Sequence, residues 1–233
     1  MSSGKAQWYI WYALGEIGLV VIGILIALQI NNWNEGRKDA HEERKLLIEI
    51  RNTLKKDLSS QIMPKLAQVT RRSNDVDDIL KHIDDQLGYH DSLNSKTHVL
   101  TRNIAFEPNL ISYKNLESKG IDFIKSDSIK LMILEVYNSG YPRIQGMVNN
   151  YRHNIQEYGR PIIRNQFEYR IVDDIITYRP LDFGALSRTP LLRNTLMTIK
   201  LNLRNLSEVL LYSERQVVKL IGLIDAEIGD AGQ

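Results

Sequence analysis

The sequence predicts an all-α protein, in which an N-terminal transmembrane helix precedes an elongated antiparallel helical bundle. Residues 8–30 form an apolar run with one formal charge, Glu16, and nearly all other charged residues follow Gly36. Beyond that glycine, apolar side chains recur every three or four positions, which is the period of an amphipathic helix. We therefore expect two domains: a membrane anchor with its flanks at residues 1–36, and a soluble bundle at residues 37–233.

The apolar run is long enough to cross a membrane. A helix of this length extends about 35 Å, and the hydrocarbon core of a bilayer is ~30 Å thick. Aromatic residues flank both ends, as is typical of membrane interfaces. They are Trp8, Tyr9, Trp11, Tyr12 and Trp33. A secretory signal peptide would be shorter and would end in a small-residue cleavage site. The lipid bilayer is therefore the first expected partner.

One face of the predicted span has residues suited to contacts between helices. At about 100° per residue, Glu16, Gly23, Ala27 and Asn34 fall on one stripe. Gly23 and Ala27 form a small-xxx-small pair, which lets membrane helices approach closely and predicts a homo-oligomer. Because a carboxylate is costly in lipid, Glu16 is expected at the interface, in a helix contact or along a proton or ion path. Asn31, in the polar segment after the run, completes the functional candidates of the span.

The bundle domain contains three long amphipathic patterns. The apolar stripe of the first is Leu47, Ile50, Leu54, Leu58 and Ile62, after which Pro64 kinks the helix or starts a new one. The second is Leu66, Val69, Ser73, Val76, Leu80, Ile83 and Leu87. The last and most regular is Leu196, Ile199, Leu203, Leu206, Leu210, Ser213, Val217, Leu220 and Ile224. We expect the longest helices, at the beginning and end of the domain, to pair antiparallel.

Shorter segments between these patterns are also predicted to be helical. They are residues 113–119, 127–138, 143–158 and 161–178, which glycine and proline separate. Residues 89–109 are predicted to be a loop.

Composition and motifs exclude several classes of function. The chain has no cysteine, so disulfides, thiolate metal sites and cysteine nucleophiles are excluded. A net charge of +2 does not indicate a nucleic-acid-binding protein. The metalloprotease, P-loop, dinucleotide and hydrolase signatures HExxH, GxxxxGK[ST], GxGxxG and GxSxG are all missing. We therefore expect a non-enzymatic protein with no cofactor.

Two clusters of polar residues have alternative interpretations. Asp78, His82 and Asp85 share a helix face with a spacing that metal ligands use, but the acidic run around them is equally typical of a solvated face. Basic residues alternate with tyrosines in residues 151–170, which indicates either a patch for an anion or partner, or the solvent side of a helical pair. Its arginines are Arg152, Arg160, Arg164 and Arg170.

Residues 12–35, YALGEIGLVVIGILIALQINNWNE, are very similar to the opening of a family of uncharacterised bacterial membrane proteins. Its members share a Tyr-Ala-Ile-Gly-Glu-Ile start, an apolar run and an Ala-Leu-Gln-Ile-Asn-Asn-Trp-Asn-Glu end. Residues 113–138, YKNLESKGIDFIKSDSIKLMILEVYN, resemble the family's second motif, Tyr-x-x-Leu-x-x-x-Gly followed by a helix. The resemblance implies one N-terminal span, a helical domain and no established activity.

Charge and resemblance predict opposite orientations in the membrane. Arg37, Lys38, Arg44 and Lys45 follow the span and only Lys5 precedes it, so the positive-inside rule places the bundle in the cytoplasm. Members of the family often have a longer basic N-terminal tail, which implies an extracytoplasmic bundle. We expect a single-pass protein of the bacterial inner membrane and, from the resemblance, favour a periplasmic bundle.

The function that these observations favour is a non-enzymatic, membrane-anchored module. It would self-associate, or scaffold a protein partner, through its transmembrane and bundle helices. One alternative is an oligomeric channel or motor-type subunit with Glu16 in the pore or in a subunit contact. Another is a ligand-binding sensor.

Overall fold

The computed structural model describes the backbone of residues 3–172 and 175–230, and the side chains of residues 14–171 and 176–229. The side chains of the aromatic residues predicted at the N-terminal interface, positions 8, 9, 11 and 12, lie outside the described residues. The chain divides into two compact units, Met1–Leu47 and Ile48–Gln233. This division falls inside the first helix, α1 (Ser3–Asp57).

The first unit is helical throughout its described part. The large apolar side chains from Leu14 to Ile30 expose between 47% and 73% of their surface, and they point in all directions around the helix. This is the one helix in the described part of the chain that is long and apolar enough to cross a membrane. An apolar surface on every side is typical of a membrane span.

The second unit is a helical bundle. After the last residues of α1 it contains α2 (Met63–Asp84), α3 (Ile111–Lys119), α4 (Asp127–Leu134), α5 (Tyr141–Asn154), α6 (Arg160–Gln166), β1 (Phe167–Val172), β2 (Ile175–Pro180), α7 (Phe183–Ser187) and α8 (Pro190–Asp230). The predicted all-α fold is confirmed. The predicted loop at 89–109 contains two short 3-10 turns, Asp91–Leu93 and Lys96–Leu100, and then runs without helix or strand to its end.

The core of the bundle lies along α8. All nine residues of the predicted seam are buried, with at most 2% of their surface exposed. Ion pairs join Arg193 to Asp84 and Lys200 to Asp77, so residue numbers rise along α8 as they fall along α2. The two helices are therefore antiparallel.

The prediction of a helix over residues 161–178 is wrong from Phe167 onward. There the chain forms an antiparallel hairpin, in which Phe167, Tyr169 and Ile171 lie opposite Pro180, Tyr178 and Ile176. Apolar residues at every second position are the pattern of a strand, and β-branched and aromatic residues favour one. The alternation continues directly from a helix, which hides the change of period.

In the part of the chain that the structure describes, three short π-helices interrupt the α-helices, at Leu58–Ile62, Glu135–Gly140 and Ile155–Gly159. Such segments are rare and occur often at functional sites. The first explains the break predicted at Pro64, which stands in the first turn of α2. The third ends at Gly159, where an added Cβ would lie 2.4 Å from the carbonyl oxygen of Leu100. Only glycine fits this close approach of two backbone segments.

Candidate functional site

The residues predicted as functional in the span all lie on α1 and are exposed: Glu16, Gly23, Ala27, Asn31 and Asn34. Since the helix is continuous, four of them share the predicted stripe, and Asn31 lies beside it. Asn31 donates a hydrogen bond from Nδ2 to Oε1 of Glu35 at 3.0 Å. No atom outside its own helical turn lies within 4 Å of a Cβ placed on Gly23. This face of the span is therefore open to another molecule.

The four arginines of the predicted patch are not brought together in one cavity. Arg152 lies on α5, Arg160 and Arg164 lie on α6, and Arg170 lies on β1. Nε of Arg160 donates to the carbonyl oxygen of Thr101 at 3.4 Å.

Arg170 belongs to a separate polar cavity of about 550 Å³ at the charged face of the hairpin. Arg179 and Tyr89 line it as well, and the other three predicted arginines do not. Nε and Nη2 of Arg170 donate to Oε2 of Glu168, at 3.0 and 2.8 Å. This carboxylate already neutralises part of the positive charge that an anion would need.

The predicted metal ligands on α2 make other bonds, which compete with metal binding. Nδ1 of His82 lies 2.9 Å from the backbone carbonyl oxygen of Asp78, and the carboxylate of Asp78 is paired with Lys96. Among the described residues, no three His, Asp or Glu side chains form a group that could hold a metal ion.

A buried carboxylate, Asp57, forms the most unusual polar site of the bundle. It is the last residue of α1, directly before the first π-helix, and only 2% of its surface is exposed. The backbone N–H of Asn109 donates to Oδ1 at 3.0 Å and to Oδ2 at 3.2 Å. The hydroxyl of Tyr141 donates to Oδ2 at 3.2 Å. Asp57 therefore joins three parts of the chain.

Aromatic rings surround this carboxylate. The ring centroids of Tyr137 and Tyr141 lie 5.3 Å apart, and Tyr113 stacks on Tyr137 at 4.5 Å. Tyr137 lies in the second π-helix, so two of the three π-helices border the site. Its hydroxyl is buried and has no hydrogen-bond partner among the described residues.

The electrostatics of the site favour neutral groups. Burial raises the pKa of Asp57 above its ordinary value, although the Asn109 N–H, the Tyr141 hydroxyl and the nearby Lys56 act in the opposite direction. Burial, and the neighbouring carboxylate, raise the pKa values of the Tyr137 and Tyr141 hydroxyls. Both hydroxyls therefore stay protonated and are poor nucleophiles, Tyr141 alone donates to the carboxylate, and Asp57 is the group that can take up a proton.

Asp57 binds one end of the segment at residues 102–109, and a buried arginine, Arg72, binds the other end. Arg72 donates from Nη1 to the carbonyl oxygen of Arg102 at 2.5 Å and to the Tyr151 hydroxyl at 2.9 Å. Its Nη2 donates to the carbonyl oxygen of Asn103 at 3.0 Å. Residues 102–109 are thus fixed at both ends by charged side chains, which gives Asp57 and Arg72 a structural role.

Sequence reasoning missed both of these residues. Asp57 stands three positions after Leu54, on the apolar stripe of its helix, and an aspartate at such a position is a signal of a buried polar site. Arg72 has no comparable signal, because an arginine beside Arg71 is typical of a solvated helix face.

A groove of about 450 Å³ lies between α2 and α8. Val69, Met197 and Leu201 form its apolar part, and Lys200 and Arg204 add positive charge. Met197 and Leu201 expose 44% and 49% of their surface. This groove and the span are the two exposed apolar surfaces that we consider for partners.

Residues 16–161 match a family described as a family of unknown function, DUF6090. The matched segment includes Glu16, Asp57, Arg72 and Tyr141, and it ends before the hairpin and α8. No curated protein and no solved structure matches the chain at a significant level. The expected membership of an uncharacterised family is confirmed: because the match covers well over half of its 233 residues, the chain belongs to this family of unknown function.

Proposed function

We propose that this protein is a non-enzymatic, membrane-anchored helical module that self-associates through its span and presents the bundle to a protein partner. The main observation that supports the proposal is the exposed apolar surface of residues 14–30, which surrounds the whole helix. Water is a poor solvent for such a surface, and a lipid bilayer is a good one.

The glycine stripe supports self-association. Without a hydrophobic driving force between helices in lipid, close packing at small residues is what holds them together. Gly23 and Ala27 lie one turn apart on an open face of α1. A second span can approach this face more closely than a face of leucines and isoleucines.

The groove between α2 and α8 supports binding of a protein partner. Its apolar part and Arg204 fit an amphipathic helix with acidic residues, while Lys200 is already paired with Asp77. Arg204 is exposed, and its Nε lies 3.9 Å from Glu208, a distance that leaves the guanidinium able to bind another carboxylate.

The resemblance of residues 12–35 to bacterial membrane proteins supports a bacterial inner membrane and a periplasmic bundle. Since the chain has no cysteine, the variant Leu131→Cys, at an exposed position, would show on which side of the membrane the bundle lies. A membrane-impermeant maleimide should label it in intact spheroplasts. Labelling only after lysis would place the bundle in the cytoplasm.

The mass of the full chain in nanodiscs tests self-association. We expect the wild type to form a discrete oligomer, and Gly23→Leu to reduce its mass to that of one chain, 26.9 kDa. Gly18→Leu, on another face of the same helix, is the matched control and should keep the oligomer. Neither glycine has a neighbour within 4 Å of an added Cβ, so neither change should disturb a single chain.

A wild type with one chain per disc would contradict the proposal. An equal effect of Gly18→Leu and Gly23→Leu would show that any bulky residue in the span disrupts the oligomer, and that the Gly23 face is not the contact.

A further inference from the structure

The helix that follows the apolar run has its charges separated onto two sides. At about 100° per residue, Arg37, Lys38 and His41 occupy one sector of α1, and Glu35, Asp39 and Glu42 occupy the adjoining one. The centres of these sectors are about 120° apart. We call the first set the basic face and the second set the acidic face.

Both faces are accessible within the first unit. Every residue from Asn31 to Glu42 is exposed. The guanidinium of Arg37 lies 5.0 Å from the ring centroid of Trp33, and this contact orients it along the helix surface. A cavity of about 480 Å³ beside Arg37, Lys38 and His41 is also lined by Asn34 and by Glu42, so it reaches from the basic face to the edge of the acidic face.

Anchoring in one bilayer fixes how two copies of this helix would meet. Identical spans bring identical residues to the same height, and each residue adds about 1.5 Å along a helix. Arg37 of one copy is then about 3 Å from the level of Glu35 and of Asp39 in a parallel neighbour. The basic face of one copy therefore matches the acidic face of the next in height as well as in charge.

We propose that the basic face of one chain docks on the acidic face of a second copy, so that the protein assembles head-to-tail. The basic face lies in line with Gly23 and Ala27 along the helix. A two-fold contact centred on that side would place two basic faces together, whereas a head-to-tail contact pairs the basic face of one copy with the acidic face of the next and closes into a ring when the rotation permits. The inference rests on the proposed self-association and specifies the surface that forms it.

Anionic lipid headgroups are the competing occupant of the basic face. Lipid-binding segments carry an excess of several Lys and Arg residues. Residues 31–42 contain two such residues and three carboxylates, so the segment has no positive excess. The charge balance favours a second copy of this chain.

Charge reversal on each face tests the docking, with the mass of the full chain in nanodiscs as the measurement. Arg37→Glu with Lys38→Glu, and separately Glu35→Lys with Asp39→Lys, should each reduce the oligomer to one chain per disc. The variant with all four changes should restore it. An equal mixture of the two double variants should also associate, because one has two acidic faces and the other has two basic faces.

Two results separate this inference from the proposed function. An oligomer that Gly23→Leu breaks but both charge reversals leave intact would overturn the docking and keep the self-association. A wild-type monomer would overturn both. An unchanged mass, with vesicle binding that depends on anionic lipid and is lost in Arg37→Glu with Lys38→Glu, would assign the basic face to lipid instead.

Discussion

The large apolar side chains from Leu14 to Ile30 expose at least 47% of their surface, whereas the nine residues of the α8 seam expose at most 2%. The two regions use the same residue types, mainly leucine, isoleucine and valine. In α8 these residues recur every three or four positions, so they form one stripe that other helices cover. In the span they surround the helix, so no single neighbour covers them. The arrangement of apolar residues, more than their number, distinguishes a core helix from a membrane helix.

The largest expected difference between the regions is the cost of truncating a leucine. Leu206 is fully buried in the seam, and Leu206→Ala should lower the free energy of unfolding of the bundle by about 2–5 kcal/mol. Leu25 exposes 58% of its surface, and Leu25→Ala should change that free energy by less than about 0.5 kcal/mol. Urea denaturation of the detergent-solubilised chains measures both. Similar losses in the two variants would contradict the distinction.

Replacing a closely packed glycine and an exposed glycine by alanine should give a second, smaller difference in the free energy of unfolding. Gly159→Ala should destabilise the bundle by about 1–3 kcal/mol, because the new methyl group meets the carbonyl oxygen of Leu100. Gly146 is exposed on α5 and has no neighbour within 4 Å, so Gly146→Ala should stabilise by about 0.5–1 kcal/mol. The glycines of the span resemble Gly146 in this respect. The same denaturation experiment applies, and a stable Gly159→Ala protein would refute the close approach.

The smallest expected effect is a change in pH dependence at Asp57. Its pKa is raised in the folded chain, so the folded state holds the proton more tightly than the unfolded state does. Stability from this group is therefore lost as the pH rises from the ordinary aspartate value through the folded pKa. Asp57→Asn keeps an oxygen for the Asn109 N–H and removes the charge, so this loss should disappear and the variant should be the more stable one at neutral pH.

Asp225 is the matched control, because Arg51 and Lys55 hold its pKa below the ordinary value. Here the sign is opposite: stability is present above the unfolded pKa and is lost as the pH falls through the folded pKa. Asp225→Asn should remove that gain. Thermal unfolding between pH 3 and pH 7 distinguishes the two variants. A stability that rises less, or falls more, with pH in Asp57→Asn than in the wild type would contradict the assignment of Asp57.

Local sequence patterns were sufficient to predict the α8 seam, from its period, and the apolar run, from its length and near-absence of charge. Both are local patterns, and every residue of the seam is buried as expected. The hairpin was missed because its alternation is only a few residues long and follows a helix without a break. Binding of an anion or partner by the predicted arginine patch stays a prediction, and the hairpin changes its geometry, since Arg170 lies on a strand and lines a cavity with Arg179.

The site at Asp57 depends on contacts that no local pattern contains. Its donors, Asn109 and Tyr141, are 52 and 84 residues away in the chain. The sequence shows an aspartate on an apolar stripe, but not the partners that make its burial tolerable. Long-range hydrogen bonds of this kind become visible only in the structure.

Membrane retention after an alkaline carbonate wash tests the central claim, that the exposed apolar surface of the span faces lipid. Ile22→Lys with Ile26→Lys should release the protein, since each lysine within a span costs about 2.5–3.5 kcal/mol. Met197→Lys with Leu201→Lys makes the same change in the exposed groove of the bundle and should leave the protein in the membrane fraction. Retention of the first variant, or release of the second, would contradict the account.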